Sequence, residues 1–150
     1  MTHEVLQPAG WPRPKGYANG MAARGRTVFI AGQIGWDAQG KFPSGTLAGQ
    51  VRQSLANIVA VLEAAGGRPT DLVRLTWFVL SRDAYHRELK DIGAAYVAVL
   101  GKHFPTMSVV QVSGLMEAEA LVEIEATAVI ADEASDATVK LPAHGHLASA

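Results

Sequence analysis

Nine consecutive residues, Leu72 to Leu80 (LVRLTWFVL), carry apolar side chains on both alternating faces. Val73, Leu75, Trp77 and Val79 share one face, while Leu72, Phe78 and Leu80 lie on the other with Arg74 and Thr76. Successive strand residues point to opposite sides of a sheet, so such a run suits a central strand covered on both sides. The chain must therefore supply two covers, or share one with another molecule.

The rest of the sequence supplies helices for one cover. From Thr46, Leu47, Val51, Leu55, Ile58, Leu62 and Ala65 recur at steps of three and four, with Gln50, Arg52, Gln53 and Glu63 off that stripe. Gly66-Gly67 and Pro69 then stop the helix. A second helix is predicted from Asp83 to Leu100, burying Tyr85, Leu89, Ile92, Tyr96 and Leu100. Arg26 to Ala31, Met107 to Val112 and Leu121 to Ile130 read as further strands, with room for one more near Tyr17 to Met21. The class is α+β, a mixed sheet with two helices on one face. The other face still carries apolar side chains, which predicts burial by neighbouring subunits.

The chain's 150 residues fit one domain. That domain is expected over 1–131, with 1–16 an extended arm holding Pro8, Pro12 and Pro14, and 132–150 a flexible, small-residue-rich tail. Thirteen Lys and Arg against fourteen Asp and Glu leave a net charge of −1, too little positive field for nucleic acid to be a partner. There is no cysteine, so disulfides, thiolate metal sites and thiol catalysis are excluded. No run approaches the roughly 18 apolar residues of a membrane span, and no secretory leader pattern opens the chain. A cytoplasmic protein with no membrane partner is expected.

Phosphate-cradling, dinucleotide-binding, zincin and nucleophile-elbow motifs are all missing. His144-Gly-His146 offers two imidazoles but nothing to complete a metal site, so no metal is expected. Glu123 and Glu125 are alternate residues of one predicted strand, about 6–7 Å apart on the same face. Either they orient water in a site or they form an outward solvated face.

Several ordered segments resemble the RidA/YjgF family of small enamine and imine deaminases. They are P-K-G-Y-A-N-G at 14–20, V-F-I-A-G-Q-I at 28–34, Q-V-R-Q-S-L-A-N-I at 50–58, D-L-V-R-L-T-W-F-V at 71–79, F-P-T-M-S-V-V-Q-V at 104–112 and V-E-I-E-A-T-A-V at 122–129. The resemblance implies a chorismate-mutase-like subunit in a homotrimer, whose sheets form a central barrel with clefts between subunits. It also implies hydrolysis of an enamine or imine to a carbonyl compound and ammonia, with no cofactor. By position, Tyr17 matches the family tyrosine and Glu123 the carboxylate that positions water. Ala31, Gly32 and Gln33 match a S-G-Q stretch, with Ala31 in place of the serine. Met107, Ser108 and Val109 match the substrate-binding stretch, but Pro105-Thr106-Met107-Ser108 stands where deaminases have P-A-R-S.

Met107 thus replaces the arginine that clamps a substrate carboxylate. A guanidinium gives two parallel charge-assisted hydrogen bonds, whereas a thioether gives neither charge nor donor. Arg13, Lys15 and Arg74 are cations that could substitute, and sequence alone places none of them in the cleft. The 86–95 segment (HRELKDIGAA) is about four residues longer than its family counterpart, which reshapes the rim. Two functions remain open at this point. One is binding of a small metabolite in inter-subunit clefts with hydrolysis of an imine. The alternative is a non-catalytic ligand-binding or protein-interaction module on the same scaffold. RNA cleavage, also associated with such proteins, is disfavoured by the charge balance.

Overall fold

A computed structural model describes residues 3–132. Beyond Asp132 the expected tail, with His144 and His146, lies outside the described residues. The strands are β1 (His3–Leu6), β2 (Gly20–Ala23), β3 (Arg26–Ile34), β4 (Leu72–Val79), β5 (Thr106–Gln111) and β6 (Val122–Ile130). The helices are α1 (Leu47–Ala64), α2 (Arg82–Arg87) and α3 (Leu89–Leu100), with one 3-10 turn at Pro69–Asp71.

The two-sided strand occupies an interior position, in the order β3-β6-β4-β5. It runs antiparallel to β6 and parallel to β5, so the sheet is mixed. A parallel neighbour requires a crossover connection, and α2 with α3 provides it. Leu75, Trp77 and Val79 of β4 join Val122, Ile124 and Ala126 of β6 in the core, and so does Leu72, which a register shift before Arg74 turns to this face instead of the opposite one expected from alternation. Against them pack Val51, Leu55, Ile58 and Leu62 of α1 and Ile92, Tyr96 and Leu100 of α3.

The opposite face has no helix. Thr76 lies beside Glu125 there, and Thr127 lies between Arg74 and Phe29. Phe29 is 81% exposed, an unusual position for a large ring on a strand. Phe29 thus marks the uncovered apolar surface predicted from the chain's two-helix count.

Elsewhere the structure differs from the sequence reading. The second helix is two helices broken at Glu88, whose backbone sits at φ −96°, ψ 10°. Its carboxylate accepts a hydrogen bond from Ala48 N, 3.2 Å away, in the first turn of α1. Thr46 Oγ1 accepts from Gly49 N at the same end, so two otherwise unpaired donors are satisfied. The break turns Leu89 out of the core, leaving it 50% exposed. In β3, pairing continues past Gly32 to Ile34 by way of a bulge between Ile30 and Gln33. The further strand begins at Gly20 rather than Tyr17 and pairs with His3–Leu6, inside the expected arm. At the end of β6 Val129, not Ile130, is buried.

Gln50 is the largest departure from the polar-outside pattern. It is 1% exposed. Its amide donates to Ser44 O (3.1 Å) and Glu119 O (2.9 Å) and accepts from Leu121 N (2.8 Å). A polar side chain off the apolar stripe thereby fastens α1 to the loop that enters β6.

Candidate functional site

Tyr17 is positioned by its neighbours. Gly16 takes φ +78°, a left-handed turn that favours glycine. On the other side Ala18 N donates to Pro105 O (3.0 Å), and Ala18 forms an isolated parallel bridge with Thr106. Thr106 Oγ1 in turn donates to Val73 O, tying the start of β5 to β4. Tyr17 is thereby delivered beside Met107, although ninety residues of sequence separate them.

Met107 lies in register with Leu75, and Val109 with Trp77, on the helix-covered side of the sheet. With Tyr17 they line a groove of about 540 Å³, walled on its other side by residues of α2 and α3. Trp77, Phe104, Tyr85 and Leu89 complete much of its apolar wall. Lys15 and His86 also line it, and no acidic residue does. Burial pushes the phenols of Tyr85 and Tyr96 above their ordinary value, so both stay neutral donors near pH 7.

Glu123 belongs to a different patch. It lies in register with Phe78 of β4 and Ile34 of β3, with its flanking residues Val122 and Ile124 buried on the helix side. A β-carbon at Gly32 would lie 2.6 Å from Glu123 Oε1, so the carboxylate rests directly on the glycine backbone of the bulge. Gln33 Nε2 donates to Ala31 O (3.1 Å) in the same bulge. Ala31 borders a second hollow with Phe29, Arg74, Thr76 and Glu125.

The eight site residues expected from the sequence therefore fall into two groups within one chain. Tyr17, Met107 and Val109 line the groove, while Ala31, Gly32, Gln33 and Glu123 do not. Ser108 is in register with Thr76 on the uncovered face and does not line the groove either. Of the three candidate cations, Lys15 lines the groove, Arg74 borders the hollow by Glu125, and Arg13 lies in a third depression that shares Tyr17 and Phe104. Trp77 and Leu89 carry a spacing that predicts core alone, because an apolar side chain at the edge of a core has the same spacing as one inside it. Among the described residues no group of three or more His, Asp or Glu could hold a metal, and no helix is long and apolar enough to cross a membrane.

The sequence model of the Endoribonuclease L-PSP family matches residues 12–130. A RutC family protein of Pyrococcus horikoshii is 33% identical over 126 residues, spanning 83% of this chain and 96% of the relative. A 2-iminobutanoate/2-iminopropanoate deaminase of Salmonella typhimurium is 36% identical over 111 residues, 70% of this chain and 80% of that protein. Among solved structures, a Rid family protein of Yersinia pestis superposes with a TM-score of 0.75 at 36% identity, covering 87% of this chain and all of the other. The Escherichia coli YjgF product gives a TM-score of 0.60 at 33% identity over 84% of this chain and 98% of its own. The match runs through both the Tyr17–Met107 groove and the Gly32–Glu123 patch, and the chain belongs to the RidA/YjgF family.

Proposed function

We propose that this chain hydrolyses a small imine or enamine at sites shared between copies of itself in a homotrimer. The observation that carries this reading is the separation of the two residue groups. Tyr17 and Met107 line a groove on the helix side, whereas Glu123 rests on Gly32 beside the uncovered face. A neighbouring copy whose Glu123 patch meets the groove would complete the site and cover Phe29 as well. Closed symmetry then repeats the same junction three times.

The chemistry needs only water. Its oxygen adds to the carbon of the C=N bond while Glu123 accepts the proton that water loses. The nitrogen gains protons, the C–N bond breaks, and ammonia leaves as the carbon becomes a carbonyl. No electrons are exchanged with a second reactant. Tyr17 donates its hydroxyl hydrogen bond to the substrate, and the apolar groove wall excludes bulk water. The chain's likeness to 2-iminobutanoate/2-iminopropanoate deaminases supports this assignment, and a cytoplasmic setting for one domain spanning 1–131 is consistent with it.

Imines released from amino acids by an amino-acid oxidase and trapped with semicarbazide test the reading. Turnover in the wild type that falls at least about a hundredfold in Glu123→Ala is expected. Turnover equal in both would refute the role of Glu123.

A second reading is favoured by Met107 and Ala31. Without a guanidinium at 107 the scaffold can serve as a metabolite-binding module without turnover. Binding of a small carboxylate to a wild type that hydrolyses no imine is the result that would select it.

A further inference from the structure

The groove is shaped for something larger and flatter than a short aliphatic chain. Trp77 and Tyr96 stack with ring centroids 6.3 Å apart and planes 16° apart, and Tyr96 and Phe104 follow at 5.3 Å and 11°. Three nearly parallel rings thus run from the core to the groove, ending at Phe104, which remains partly exposed. Leu89, displaced from the core by the break at Glu88, stands half-exposed on the same groove. Tyr17, Val97 and Val109 are also partly exposed there. The apolar surface of the groove therefore has room for a guest.

One polar feature points to what the guest carries. Lys15 lines the same groove without an acidic neighbour on its walls. It adjoins Gly16, whose left-handed backbone carries the chain on into Tyr17.

Building on the deaminase reading, we infer that the groove takes a 2-imino acid with a planar aromatic side chain. The ring lies between Leu89 and the exposed end of the Trp77–Tyr96–Phe104 stack. Lys15 holds the carboxylate in place of the guanidinium lost at Met107. An aromatic guest in offset stacking gains from ring geometry as well as burial. Its acid group would then need only one flexible ammonium, a weaker anchor than a bidentate guanidinium.

Calorimetric titration of the full chain with phenylpyruvate and with 2-oxobutanoate tests this inference, because both are unreactive product-like carboxylates that differ in the side chain. Phenylpyruvate is expected to bind at least about tenfold more tightly. Leu89→Ser, at a half-exposed position that folding tolerates, is expected to weaken phenylpyruvate about fivefold or more and leave 2-oxobutanoate within about twofold. Lys15→Gln is expected to weaken both by about fivefold or more. Equal affinities for the two acids in the wild type would overturn the aromatic assignment. An unchanged affinity in Lys15→Gln would overturn the role of Lys15. Trapped-imine turnover on the same preparation separates the two levels of the account. Aromatic preference without turnover of any imine would leave this site standing and refute the deaminase reading. Turnover of the imine of 2-aminobutyrate with no aromatic preference would refute this inference alone.

Discussion

Glu123 and Gly32 are in direct contact, with the carboxylate occupying the space where a side chain at position 32 would begin. Any residue with a β-carbon there must push Glu123 aside. Gly32→Ala is therefore expected to lower imine turnover at least about tenfold, equivalent to about 1.4 kcal/mol of transition-state stabilisation. Gly45→Ala is the control, since a β-carbon there meets nothing within 4 Å. Steady-state kinetics of both variants checks the claim, which fails if Gly32→Ala matches the wild type.

Met107→Arg restores the missing guanidinium on the groove wall. A charge-assisted bidentate contact is worth about 1.5–3 kcal/mol, so kcat/KM for small 2-imino acids should rise by about tenfold or more. The gain should appear mainly in KM, because the carboxylate is bound in both ground and transition states. An unchanged kcat/KM for every small imino acid would show that position 107 does not face the substrate.

Gln50 predicts stability rather than activity. Its buried amide satisfies Ser44 O, Glu119 O and Leu121 N at once. Gln50→Leu keeps the volume but leaves those backbone groups unpaired, which should cost about 2–4 kcal/mol in urea unfolding. A loss under about 0.5 kcal/mol would mean that water replaces the amide freely.

Tyr96 sets an alkaline limit. Burial raises its pKa in the folded chain above the ordinary value of 10.0, and its hydroxyl donates to His103 O. In the unfolded chain the phenol loses its proton first, so the folded state binds more protons above that value. Stability is then fully present below about pH 10 and declines as pH rises beyond it. Tyr96→Phe should flatten that decline, as measured by urea midpoints between about pH 9 and 11. An equal decline in the variant would assign it to other groups.

The fold was legible because its strongest signals are periodic. The α1 stripe and the two-sided β4 run each have one stable use, and together they require an uncovered sheet face. Phe29 bears this out by standing exposed on that face. The break at Glu88 was not legible, since the hydrogen bond that accompanies it is to Ala48, forty residues away in sequence. Burial of Gln50 was hidden for the same reason, as its partners lie on loops that only the fold brings together. Tyr17, Met107 and Glu123 could be named from motif positions. Their division between two sides of the sheet depends on strand register and the bulge in β3, which residue spacing does not encode.

The shared site is tested most directly by subunit complementation. Tyr17→Phe and Glu123→Ala chains, each low in trapped-imine turnover, are unfolded together, refolded as an equal mixture and assayed. If each site takes Tyr17 from one copy and Glu123 from its neighbour, random mixing rebuilds intact sites at about a quarter of the junctions. Activity should then return to about a quarter of the wild-type value. A mixture no more active than its two parents, with mixed oligomers demonstrated by mass, would contradict a site built between copies.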